Sequence, residues 1–173
     1  MSPLMSLSSL SLILSLASLL LASCTPSPNP RNYAQAEPSA LALQGSYQPT
    51  AVTETLIAAT GKYEKKPARI VIGTDGSIEI TNLPDCWVLP YNEAIGQFDT
   101  GKGTWSLVRQ QQWWVLMCKF PSLPNHAARG TDHGNVTAMI SLIGQRPPYS
   151  LECIISHPDA DLAMRFEKVA AVP

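Results

Sequence analysis

Charge is scarce in this chain of 173 residues. Only 14% of the residues are charged, and 12 basic side chains nearly cancel 13 acidic ones. Nucleic-acid binding asks for a clustered basic excess. Electrostatic docking on anionic lipid asks for a polybasic run. The basic residues here are scattered, so neither partner is expected on grounds of charge. Histidine is nearly missing as well, with only His126, His133 and His157. No Gly-x-Ser-x-Gly, phosphate loop or His-Glu-x-x-His occurs. That removes the grounds for a serine hydrolase, a P-loop enzyme or a zincin. The chain is therefore read as non-catalytic, with no cofactor and no metal. What it has in quantity is proline, 15 residues, and glycine, 10 residues. These favour short strands and turns over long helices.

The first charged side chain is Arg31. Before it, residues 4–23 form an apolar run of Leu, Ile, Met and Ala diluted with Ser. Such a run at the N-terminus reads as a secretory signal. It closes on Leu21-Ala22-Ser23-Cys24, which resembles the lipobox of bacterial lipoproteins. The resemblance implies cleavage between Ser23 and Cys24 and a diacylglyceryl group on the Cys24 thiol. It further implies acylation, such as palmitate, at the new amine. Small side chains at Ala22 and Ser23 fit a tight protease groove, and Cys24 is the good nucleophile nearby. The pattern departs from the family in lacking Lys or Arg before the apolar run. Thr25, not Asp, follows the cysteine. For a Gram-negative host, the resemblance then implies the outer membrane. The run is also about 20 residues long, enough to span a bilayer, so one alternative is an uncleaved anchor and the other is an ordinary Cys24 near a conventional cleavage site.

Residues 25–44 follow, with prolines at 26, 28 and 30. Alternate prolines forbid a helix and favour an extended, hydrated chain. The expected organisation is a signal helix over 1–23, lipidated Cys24 with a disordered proline-rich tether over 24–44, and one domain over 45–173.

From Gly45 the periodicity becomes strand-like. Arg69-Ile70-Val71-Ile72 and Ser77-Ile78-Glu79-Ile80 flank an Asp75-Gly76 turn, a strong hairpin signal. Residues 104–109 and 113–120 flank three glutamines. Residues 136–143 form a further apolar run, and 149–156 with 162–169 flank His157-Pro158-Asp159. Residues 51–60 fit a helix or a bent strand. The expected fold is mainly β: an antiparallel meander of about eight strands, closed as a barrel or folded as a β-sandwich. Gly45-Ser46-Tyr47, Asp75-Gly76-Ser77, Asn82-Leu83-Pro84, Gly101-Lys102-Gly103-Thr104-Trp105 and His157-Pro158-Asp159 occur in that order. The series resembles a group of uncharacterised bacterial secreted proteins, whose Gly-Asp-Pro-Asp turn is replaced here by Ser156-His157-Pro158-Asp159. That resemblance implies a small lipocalin-like barrel and supplies no activity to carry over.

Four tryptophans, Trp87, Trp105, Trp113 and Trp114, could line a pocket for a small apolar ligand or simply fill the core. Cys86, Cys118 and Cys153 sit in an exported domain, where one disulfide can persist; alternatively all three are reduced and packed. His126, Asp132 and His133 share a polar loop with no usual zinc spacing. His157 and Asp159 fit a turn. Three functions follow, in order of preference. The first is a lipid-anchored envelope module that binds a small apolar ligand or an envelope protein, with a cavity near Trp105 and Trp114. The second is a structural lipoprotein with a filled core, acting through an exposed patch near Trp87 and Tyr91. The third is a hydrolase built on the histidine loop.

Overall fold

The computed structural model describes residues 32–88, 94–123, 135–155 and 162–170. Eight strands form one closed antiparallel barrel in simple sequence order. They are β1 (Gly45–Pro49), β2 (Arg69–Ile72), β3 (Ser77–Pro84), β4 (Phe98–Gln110), β5 (Trp113–Phe120), β6 (Val136–Ile143), β7 (Ser150–Ile154) and β8 (Ala163–Val169). Closure comes from β1 pairing with β8, with Ser46 opposite Val169 and Pro49 opposite Phe166. The barrel, not the sandwich, is the architecture, and closure leaves no sheet edge exposed.

The β2–β3 hairpin turns where the sequence says it should. Asp75 Oδ1 accepts from the Ser77 amide at 3.0 Å and the Ser77 hydroxyl at 2.6 Å. Gly76 sits at φ +82°, which a side chain would resist. Strand β4 begins at Phe98, six residues earlier than its apolar pattern indicates. Its early part holds Gly101 and Gly103, which carry no hydrophobic signal. They are there because the wall is crowded: a Cβ on Gly103 would collide with the Lys119 carbonyl oxygen and meet Phe120 Cδ1 at 2.8 Å.

Alternation sends one face of each strand inward. On β5, Leu116, Cys118 and Phe120 are buried, and their neighbours across β6 are Ile140, Ala138 and Val136, also buried. Ile70, Ile72, Ile78 and Ile80 come from the first hairpin, Leu151 and Cys153 from β7, and Met164 and Phe166 from β8. One core results, filled from all sides.

The ambiguous stretch at 51–60 is a helix. It is preceded by α1 (Ala40–Leu43) and is here α2 (Ala51–Ala59). Thr50 caps α2, its Oγ1 accepting from the Thr53 amide at 3.2 Å. Thr53 then ties α2 to β8, accepting from the Arg165 amide at 2.7 Å.

One boundary needs correction. The expected tether runs to residue 44, but the folded body begins at Asn32. Ala34 and Leu43 are buried. The Ala34 amide donates to the Leu142 carbonyl, and its own carbonyl accepts from the Trp114 amide. Ala34 thus bonds both β5 and β6 just past the last pair of their ladder, Val115 with Ser141. Leu43 presents its carbonyl to the Tyr47 hydroxyl at 2.7 Å. Burial and non-local hydrogen bonds, invisible in a proline-rich composition, order this segment. The proposed leader 1–23 and Cys24 lie outside the described residues.

Candidate functional site

Strand direction gives the barrel two ends. The turns at 73–76 and 111–112, with the segment 32–43, lie at one end. Helix α2, the segment 60–68 and the turn after β3 lie at the other. At this second end is a cavity of about 400 Å³. Phe98 gives it accessible apolar surface from the barrel, backed by the buried side chains of Pro84, Met164 and Phe166. Ala51, Ile57 and Ala58 line it from α2, and Tyr63 and Ala68 from the strap that follows. Its rim is charged but balanced: Lys65 stands 4.0 Å from Glu54, and Lys66 stands 3.9 Å from Glu64. Such exposed pairs contribute little stability. Their effect here is to keep the mouth polar and without strong net charge.

The strap is held by three specific bonds. Tyr63 donates its hydroxyl to Asp85 Oδ1 at 2.7 Å. Lys62 Nζ donates to the Ala94 carbonyl at 3.1 Å. Asn82 Nδ2 donates to the Pro67 carbonyl at 3.1 Å. Asn82 is placed for this by a left-handed backbone, φ +50°, in the register shift of β3 against β4. Asp85 is fully buried, and its second oxygen accepts from the Ile95 amide at 3.0 Å. Burial, reinforced by the Asp85 bond, raises the Tyr63 phenol well above its ordinary value, so it stays a donor. The Tyr63 ring stands edge-on to Phe98 at 5.6 Å, and Lys66 lies 4.7 Å from the Phe98 centroid. The cavity is therefore a preformed cleft with an apolar floor, polar mouth and braced wall. Among the described residues, its lining contains neither histidine nor cysteine.

The sequence-predicted residues do not converge here. None of the four tryptophans lines this cavity. Trp87 is buried, donates to Asp99 Oδ2 at 2.8 Å, and packs edge-on to Phe120. The expected exposed patch at Trp87 is thereby corrected: the indole is a core group, held inside because its N–H has a buried carboxylate to meet. Trp105 is half-buried on β4, and its Nε1 donates to the Gly73 carbonyl at 3.0 Å. Trp114 points inward on β5, whereas Trp113 lies on the outer wall, stacked on Tyr33 at 5.2 Å. Cys86, Cys118 and Cys153 are buried free thiols. The histidine loop with His126, Asp132 and His133 lies outside the described residues, as do Tyr91, His157 and Asp159. Among the described residues, no three His, Cys, Asp or Glu side chains gather as a metal group. No described helix is long and apolar enough to cross a membrane.

Comparison with protein-family models, with curated proteins and with solved structures finds no match. The cleft therefore has to be read from its own geometry. Tyr63, Asp85, Phe98 and Asn82 are the residues that sequence reasoning missed. Tyr63 and Asp85 are 22 positions apart, and no local pattern links them. The faint available signal was Asn82 beside Leu83-Pro84, a residue type that tolerates positive φ.

Buried thiols and phenols make the fold sensitive to alkali. Burial pushes the Cys118 thiol from 9.0 up to about 12, and the Tyr47 phenol from 10.0 up to about 12. Cys153 and Cys86 are raised in the same direction by burial. Each stays protonated when folded and ionises earlier when unfolded. Their stabilisation is complete below pH 9 and is lost as pH climbs toward 12. Each group contributes a slope of up to about 1.4 kcal/mol per pH unit within its window. Urea midpoints should hold steady from pH 7.5 to 8.5 and fall clearly by pH 10.5. A midpoint unchanged at the highest pH contradicts this placement of the thiols.

Proposed function

We propose that this chain is a lipid-anchored lipoprotein of the bacterial cell envelope, at the outer membrane in a Gram-negative host, whose barrel binds a small apolar ligand. The observation that carries the binding reading is the cleft beneath α2. Its volume, about 400 Å³, lies in the range of small-molecule sites. Phe98, Ile57, Ala58 and Tyr63 offer apolar contact, and the charged rim can meet a polar end of the same molecule. We read the site as working by burial and the module as non-catalytic; among the described residues of the lining, no nucleophile stands beside a base. The ligand enters at the end of the barrel, away from Trp105 and Trp114.

The interior favours the second reading in one respect. Leu116, Ile140 and Phe166 are fully buried, so the middle of the barrel is filled. That supports a structural or interaction lipoprotein whose partner is an envelope protein. The cleft weighs toward the ligand because a purely structural barrel has no need of a braced opening.

Ala58→Trp separates the two. Ala58 is exposed on α2 and lines the cleft, so an indole there fills space at small cost to folding. The processed protein should enhance a fluorescent fatty-acid probe, and the variant should weaken that binding at least tenfold. Equal binding by both removes the cleft from the function. No binding by either leaves the structural reading in its place.

A further inference from the structure

The outer wall of β5 and β6 is strangely poor in charge. Their outward positions are Trp113, Val115, Met117, Lys119, Thr137, Met139, Ser141 and Ile143, of which Val115 is already covered and only Lys119 is charged. The opposite wall differs: there Lys102 meets Glu79 at 3.4 Å, and Arg69 bonds Ser46. Across the charge-poor wall runs an apolar row. Met117 pairs with Met139, and Ile154 continues the row on β7, two residues beyond the Ser141–Glu152 pair. Met139 is 50% exposed and Ile154 40%. Isolated exposed apolar groups are ordinary; a contiguous row on a wall whose charges are Lys119 and the Glu152–Arg165 pair points to a contact.

The chain itself says what covers it. The described body starts at Asn32 on this same wall, where Tyr33 stacks on outward-facing Trp113 and reaches the outward Glu152. Only seven residues separate Asn32 from Cys24. Whatever their conformation, eight chain steps reach no farther than about 29 Å. A lipid on Cys24 therefore holds this wall within a short span of the bilayer, at a high effective concentration. A stacked Trp–Tyr pair is also what membrane interfaces favour. Lys119 can keep its ammonium at the headgroups while its stem lies on apolar surface.

We propose that the β5–β6–β7 wall, centred on Met139, rests on the bilayer to which Cys24 is anchored, so that the barrel lies on its side. This rests on the lipoprotein reading and concerns a surface separate from the cleft. It gives the short spacer a purpose: the body is seated at the lipid surface, not lifted from it.

The test places an environment-sensitive NBD label at Met139→Cys or, on the opposite wall, at Glu79→Cys. The native thiols at 86, 118 and 153 are buried, so the labels go to the new sites. The full chain, purified with its anchor, is reconstituted into phosphatidylethanolamine–phosphatidylglycerol vesicles. The Cys24→Ala form in buffer is the reference. Flotation with the vesicles, a blue shift and at least twofold brightening at 139, and no change at 79 support the seat. Flotation with neither label responding overturns the seat and leaves the anchor standing. Failure to float overturns both. A concentration-dependent blue shift at 139 in the unanchored reference means that a second copy covers the wall, which also overturns the bilayer contact.

Discussion

Phe120→Ala should lower the stability of the barrel by about 3–5 kcal/mol, the loss found for large aromatic truncations in well-packed cores. The site gives reasons to expect the upper part of that range. Phe120 is 1% exposed and projects inward from β5. Its ring meets the Trp87 ring edge-on, with centroids 5.5 Å apart and planes at 88°. Its edge also covers Gly103 on β4, where no side chain exists to move into a void. Trp87 cannot relax inward without straining its 2.8 Å bond to buried Asp99. The vacated volume therefore stays largely empty, and cavity cost adds to lost transfer energy. For a body of this size each kcal/mol shifts the melting temperature by roughly 2–4 °C, so a fall on the order of 10 °C is expected. Met139→Ala, on the exposed outer wall, is the control and should change stability by less than about 0.5 kcal/mol. Thermal and urea melts check both. A loss below about 1 kcal/mol for Phe120→Ala would mean that β5 does not face the core in this register.

The strand was legible in the sequence but its inward face was not, because Trp113, Val115 and Met117 alternate with Trp114, Leu116, Cys118 and Phe120 and both sets are apolar. The Asp75-Gly76 hairpin was legible for a local reason: turn chemistry and flanking β-branched runs lie within a dozen residues. Helix α2 was harder to read. It is short and half-exposed, and only Thr53 among its residues is buried, so its apolar stripe is faint. Its clearest mark is the Thr50 cap, which alone cannot separate a helix start from a turn. The order in 32–44 was illegible because it depends on bonds from Ala34 to Trp114 and Leu142, which lie far along the chain. The four tryptophans mislead for an instructive reason. Neighbours in a strand point to opposite faces, so Trp113 and Trp114 could never share one pocket. The cleft was hidden because its wall is made by a strap whose bonds to Asp85, Ala94 and Asn82 all cross between elements.

Cys24→Ala should move the protein from the membrane fraction to an unprocessed or released form. The wild type should stay membrane-bound, with an intact mass fitting an acylated chain that starts at Cys24. The size of the effect follows from the anchor's arithmetic. Each buried methylene contributes about 0.8 kcal/mol, and one myristoyl chain binds only marginally, whereas two or three chains hold almost irreversibly. Removing the sulfur removes the diacylglyceryl group, and with it the modification that the lipobox pathway requires before cleavage. What remains on the folded body is a charge-poor outer wall, whose exposed apolar row is too small to hold a bilayer without a tether. Partitioning should therefore change nearly completely. If both forms instead remain in the membrane at full uncleaved mass, residues 4–23 are a spanning anchor. The seven-residue spacer would then still place the β5–β6 wall near lipid, because a span ending near Cys24 emerges at the same surface. Intact mass is the decisive readout for that reason: location alone does not distinguish a lipid from a helix, whereas the starting residue and the added acyl mass do.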